Sequence, residues 1–227
     1  MTAAAHIYFQ ELDSVERMAW AQDVVDRYPV LQPIYEGSNT EYRAFLALVW
    51  ACDTSSADYT IVLEEDFAVS ASMTASDVYA QLANGVWLLE HGVHAVRMRH
   101  RKDWGDPHIS WLDFLRDGGI GRNRLISHVM WDDAAEKHVP EIAVCRATPK
   151  TWCTSAAHAH YTTNPVLYRI DFVRALYAHV RGDQMTFAAF EGTLMRIWAQ
   201  TNYTVGYADA IFTHARIDRT LGVGVVE

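Results

Sequence analysis

The chain predicts an α/β fold with a mainly parallel central sheet flanked by helices, folded as a single domain. Three observations lead there. The first hundred residues alternate short β-rich runs with segments of helical period, which is the pattern of crossover-connected parallel strands. The length of 227 residues, with half of them hydrophobic and 21% charged, suits one domain with a full core. Pro- or Gly-rich linkers, internal repeats and low-complexity tracts are absent from the sequence.

Taken in order, Ala5 to Gln10 is a short apolar run. Ser14 to Tyr28 follows with Val15, Met18, Ala19, Val24 and Val25 at roughly helical spacing, with Asp13 or Ser14 to cap it and Pro29 to close it. Val30 to Tyr35 reads as a second strand, which Pro33 moves toward an edge. Beyond the turn Glu36-Gly37-Ser38, a helix runs from Asn39 to Cys52, and Tyr59 to Leu63 forms a β-rich run ending in Glu64-Glu65-Asp66. A helix from about Ala75 to His91 leads into the strand Val93 to Arg99. Arg101 to Lys137 mixes aromatics, charges and Gly118-Gly119, a composition of loops and short helices. Strand-like segments return at Glu141 to Cys145 and Thr151 to Tyr161. Asn164-Pro165 turns into helices at Asp171 to Val180 and about Phe187 to Gln200, and Tyr203 to Tyr207 is the last strand before a tail from Ile211 to Arg219.

Composition narrows the partners. A net charge of −9 sets the overall field against nucleic acid and anionic membrane surfaces. The first residues lack a basic, apolar leader pattern, and no run reaches the about 18 apolar residues of a membrane span, so a soluble cytoplasmic protein is expected. Cys52, Cys145 and Cys153 are odd in number and lack CxxC spacing, and they read as reduced thiols. GxxxxGK[ST] and GxGxxG are both missing, which argues against P-loop and dinucleotide chemistry.

The candidate chemistry begins at the acidic triplet. In extended chain Glu64 and Asp66 leave on the same side and can hold a divalent cation against a diphosphate, with Glu65 pointing elsewhere. Three acidic residues at a strand end serve equally as a solvated turn. Arg97, Arg99 and Arg101 share one face of a strand and can bind phosphate, although a solvated edge is the commoner use of such a pattern. Trp104, Trp111 and Trp152 offer flat rings for a sugar, or core packing. Glu191 interrupts an apolar helix, where it faces either solvent or a cleft.

The block Tyr59-Thr-Ile-Val-Leu-Glu-Glu-Asp-Phe67 resembles the acidic metal motif of GT-A glycosyltransferases, here E-x-D in place of D-x-D. Thr162-Thr-Asn-Pro-Val-Leu-Tyr-Arg169 resembles the acceptor-side segment of that class, and Phe190-Glu191 through Trp198 its late helix with the catalytic carboxylate. Ile211-Phe-Thr-His214 is similar to the C-terminal histidine segment that returns to the metal. The arrangement is most like compact glycosyltransferase domains encoded by large DNA viruses.

The resemblance implies a GT-A-like, Rossmann-like fold with a nucleotide-binding half over about residues 1–100 and an acceptor-side half over about 101–227. It implies Mn²⁺ or Mg²⁺ held by Asp66, Glu64 and His214. Donor contacts are expected from Glu36, Asn39, Arg43, Glu64, Glu65 and Arg97, and acceptor contacts from Trp104, Trp152 and Asn164. Glu191 is expected as the general base of an inverting transfer, with Asp183 as its substitute. The expected donor is a nucleotide-diphosphate sugar, by preference a UDP-sugar, and the expected acceptor a carbohydrate. A nucleotidyltransferase, and a binding domain without turnover, are the alternatives.

Overall fold

A computed structural model of the chain describes residues 5–9, 15–29, 31–35, 41–63, 67–103, 133–159, 161–162, 164–180 and 187–214. The chain forms two compact units, one from Met1–Thr60 with Ile170–Leu194, the other from Ile61–Arg169 with Met195–Glu227.

The first unit holds β1 (Ala5–Phe9), α1 (Val15–Arg27), β2 (Leu31–Tyr35) and α2 (Glu41–Thr54). β1 and β2 pair in parallel from Ala5↔Leu31 to Phe9↔Tyr35, joined by α1 as the crossover that parallel pairing requires. Pro33 is tolerated because, among the described residues, this sheet has two strands, each with a side not engaged in the ladder. A later helix of the same unit packs on α2. Its Arg174 donates to the carbonyls of Cys52, Asp53 and Ser55, oxygens that the end of a helix leaves without intrahelical donors. Cys52 is a free, buried thiol whose pKa burial pushes up to about 11, so it is held protonated.

The sheet of the second unit takes in β3 (Tyr59–Val62), which enters the unit at Ile61. The others are β4 (Phe67–Val69), β5 (Ala95–Arg99), β6 (Ala143–Arg146), β7 (Thr151–Ser155), β8 (Val166–Arg169) and β9 (Thr204–His214). The order is β3-β8-β5-β9-β7-β6, with β4 also on β9. The helices are α3 (Ala75–Glu90), the short α4 (Ala135–His138), α5 (Ile170–Ala178) in the first unit, and α6 (Phe187–Ala199), which passes from the first unit to the second after Leu194. Thr74 and Asp77 cap α3 reciprocally, each side chain accepting the other's backbone N–H. α3 lies close on one sheet face through Gly85, where a Cβ would come to 2.6 Å from Leu167 Cδ2.

The chain is mixed α/β as expected, but the expected mainly parallel sheet is corrected. The pairs β4·β9, β5·β8, β6·β7 and β7·β9 are antiparallel, and β5·β9 is parallel. The reason lies in the connections. From β6 to β8 strand follows strand with no helix between them among the described residues, and only four residues separate β6 from β7, too few for any crossover. Val166–Arg169, within the segment that resembles an acceptor side, is the strand β8 that enters antiparallel beside β5.

Two further expectations change. Cys145 and Cys153 are joined in a disulfide rather than reduced, because the β6–β7 hairpin, with its irregular register between Val144 and Arg146, sets their Cα atoms 5.7 Å apart. The cytoplasmic expectation leaned on reduced thiols and loses that support. Arg97 and Arg99 of β5 and Arg101 just beyond it do not line a solvated edge, since β8 and β9 flank the strand on both sides and Arg97 and Arg101 are buried.

Candidate functional site

The acidic triplet Glu64-Glu65-Asp66 lies outside the described residues, between the exposed Leu63 and the first residue of β4. What the sheet fixes is the partner of that first residue. β4 runs antiparallel to the last part of β9 with Phe67 opposite His214, so the residue that follows Asp66 in the chain faces the C-terminal histidine across one strand pair. The two rings are 4.8 Å apart, and Phe67 is buried. Arg99, at the end of β5 and opposite Phe212 of β9, carries its Cζ to 5.9 Å from the Phe67 ring centre. This is the carboxyl end of the parallel pair β5·β9.

β9 reaches that position by bending. Its early residues pair with β5 and β7 up to Tyr207, and the register on β5 then jumps from Arg97↔Tyr207 to Arg99↔Phe212. The jump is taken up at Ala210, which adopts φ 64 and gives its N–H to Gln81 Oε1 of α3. The strand extends past Tyr207, where the sequence predicts its end, to His214.

The chain after β5 is tied to the same region. Ser70 hydrogen-bonds Asp103 at 2.5 Å and donates its N–H to the Ile211 carbonyl. His100 Nδ1 accepts the N–H groups of Lys102 and Asp103, which assigns its proton to Nε2, and burial lowers its pKa. Arg101 is 1% exposed, yet it bonds Asp133 at 2.5 Å and Asp209 at 3.1 Å, two carboxylates that reach solvent.

Of the expected donor contacts, Arg97 is buried at the centre of the sheet. It hydrogen-bonds Tyr207 and lies near Tyr168, whose hydroxyl burial pushes up to about 12 while the guanidinium opposes the rise. Arg43 and Glu191 fall on α2 and α6, with side chains outside the description. Glu36, Asn39, Glu64, Glu65, Asp66, Asp183 and Trp104 lie outside the described residues altogether.

Trp152, expected at an acceptor platform, is 3% exposed. Arg101 and Lys150 lie over its ring at 4.1 and 5.1 Å, and its Nε1 donates to Glu136 at 2.7 Å. These contacts make it a packing residue with its ring covered. Lys150 and Trp152 together hold the Glu136 carboxyl down to about 2. Asn164 shapes the approach to β8 by donating Nδ2 and N–H to Thr162 Oγ1. The sequence pattern singled out the three arginines as a set, but only the strand order separates their roles.

Among the described residues no cluster of three or more His, Cys, Asp or Glu side chains is set to hold a metal ion, and no helix is long and apolar enough to cross a membrane. Comparison with protein families, curated proteins and solved structures finds no match.

Proposed function

We propose that the protein is a metal-dependent glycosyltransferase of GT-A type that moves a sugar from a UDP-sugar to a carbohydrate acceptor with inversion. One observation carries the reading. The register Phe67↔His214 brings the C-terminal histidine strand to the residue after Asp66, and two sequence segments almost 150 residues apart, each singled out for metal binding, become neighbours through one strand pair.

In this reading Asp66, Glu64 and His214 hold Mn²⁺ or Mg²⁺, and the set of carboxylates with one imidazole suits either ion, with a lean toward Mn²⁺. The ion stabilises negative charge on the departing diphosphate as a Lewis acid. Glu191 takes the proton of the attacking hydroxyl, an assignment supported by the resemblance of the Phe190–Trp198 helix, with Asp183 as its substitute. Glu36, Asn39, Arg43 and Glu65 are the donor-side residues, and Trp104 and Asn164 the acceptor-side ones.

Calorimetric titration with UDP tests the reading. Binding is expected with Mn²⁺ and not without it, because carboxylates alone repel a diphosphate. Asp66→Asn should weaken that binding and nearly abolish transfer, and His214→Ala should weaken it less, with rescue by added metal. An Asp66→Asn protein that binds UDP with Mn²⁺ as tightly as its parent removes the proposed site.

A further inference from the structure

We infer that Arg146 and Asn84, where β6 meets α3, form a binding site for a small oxyanion, a carboxylate or a phosphate. The site uses neither residues 64–66 nor His214 and stands apart from the glycosyltransferase reading. It begins with a bulge. β6 and β7 pair Val144 with Trp152 and Arg146 with Thr151, so Cys145 is an extra residue on β6. Residues opposite each other in an antiparallel pair share a face, as do alternate residues along a strand. Thr151 therefore shares a face with Cys153, whose partner Gly206 is on the α3 side, since a Cβ there would come 3.6 Å from Leu88. The bulge turns Arg146 to that side; in an unbroken ladder it would share the face of Val144 and Trp152. The Cys145–Cys153 disulfide ties the bulge to β7.

On that side Arg146 is half-buried and held in place. Its Nη1 donates to Asn84 Oδ1 at 2.5 Å, and its Cζ lies 4.2 Å from the centre of the Trp87 ring, which in turn stacks on His91. Among the described residues no carboxylate pairs with it. A guanidinium accepts nothing, so the amide must turn its oxygen toward Arg146, and this fixes where Nδ2 lies. Asn84 is 4% exposed, and its Nδ2 is buried without an acceptor among the described residues. A buried donor left in that state is costly, and an acceptor that reaches it is favoured.

A guanidinium fixed at one nitrogen and on one face thus adjoins a buried amide donor, and the two call for the same partner, an oxygen. An oxyanion supplies one oxygen to Nδ2 and another to the remaining guanidinium N–H groups. The net charge of −9 opposes a large polyanion, so the local fork suits a small ligand.

The test is an NMR titration of the full chain with acetate or phosphate exchanged for chloride at fixed ionic strength, following the Asn84 side-chain amide and the Trp87 indole N–H. Both resonances should shift saturably with one dissociation constant, and the tighter of the two anions names the source. Arg146→Gln should weaken that binding by roughly 10- to 100-fold, the range expected for losing a charge-assisted pair. Arg146→Lys should recover part of the loss, because it keeps the charge without the fork. Thermal melting of each variant reports whether it is folded. A folded Arg146→Gln protein whose resonances titrate as the parent's do overturns the inference. A parent in which neither anion produces a saturable shift overturns it as well, and either result leaves the glycosyltransferase reading standing.

Discussion

Ala210 is a non-glycine residue in left-handed backbone, and the position costs roughly 1–2 kcal/mol for an L side chain. It is tolerated because the bend of β9 is held from several sides: Gln81 accepts its N–H, Ser70 bonds the next carbonyl, and Arg101 bonds Asp209 through both backbone and side chain. Ala210→Gly should be close to neutral, within about 1 kcal/mol, since relief of the backbone offsets the lost methyl and the freer unfolded chain. Ala210→Val should lose more than about 2 kcal/mol in urea unfolding, because a β-branched residue resists this conformation and the site is fully buried. Equal midpoints for the two variants would show that Ala210 does not set the bend. Glu191 is tested at the same scale. Glu191→Gln keeps the shape and removes the basicity, so donor affinity should hold while turnover falls by on the order of 10²–10⁴. A variant with the parent's turnover moves the base to Asp183.

At the scale of elements, α3 meets the sheet through Gly85. A side chain there would enter the space of Leu167, with Val96 and Met98 within 4 Å. Gly85→Val should overpack this contact and lose about 1–3 kcal/mol, whereas Gly85→Ala should lose less, since one Leu167 methyl can move and a helix gains from the exchange. Denaturant midpoints separate the two.

The same elements show what a sequence conveys. α1, α3, α5 and α6 carry period, caps or breakers within their own residues, and their extents follow the pattern closely. The direction of each strand does not lie within the strand. β5 is nearly continuous in apolar or long side chains whether its neighbour runs with it, as β9 does, or against it, as β8 does. β8 is only four residues, preceded by a turn and followed at once by a helix, so it leaves no periodic signal of its own. The pairing of Phe67 with His214 has no signal in either segment, because nothing local joins residues so far apart in the chain. The disulfide is hidden for a different reason: Cys145 and Cys153 are only eight residues apart, and it is the hairpin turn that brings them together.

Across the whole molecule, acid should weaken the fold in two separate ranges. Burial lowers the pKa of His94 and of His100 from 6.5, with Arg101 and Lys102 adding to the effect at His100 and Asp103 and Asp209 opposing it. The unfolded chain binds these protons more readily, so the stability they contribute is complete above about pH 6.5 and is lost as pH falls through the lowered folded values. Glu136 acts lower. Its carboxyl, moved from 4.5 to about 2 by Lys150 and Trp152, contributes stability above 4.5 that is lost toward pH 2. Urea midpoints should decline below pH 6.5, and replacing His94 and His100 by Gln should flatten that first decline while leaving the one near pH 4 in place. A parent midpoint constant from pH 7 to 5 would remove the histidine contribution.

The position of β9 also bears on how the chain is made. It lies between β5 and β7 and carries β4 on its far end, yet it is the last described strand to leave the ribosome. Until Thr204–His214 emerges, β5 and β7 each present an open edge, and α3 has an incomplete sheet to cover. On the β5 side closure depends on contacts between segments more than 100 residues apart, which makes the final step slow and sensitive to competing strands. Nascent chains stalled before Thr204 should therefore be digested readily by protease across β5 to β7, and protection there should arise together, once this single strand is available to both neighbours.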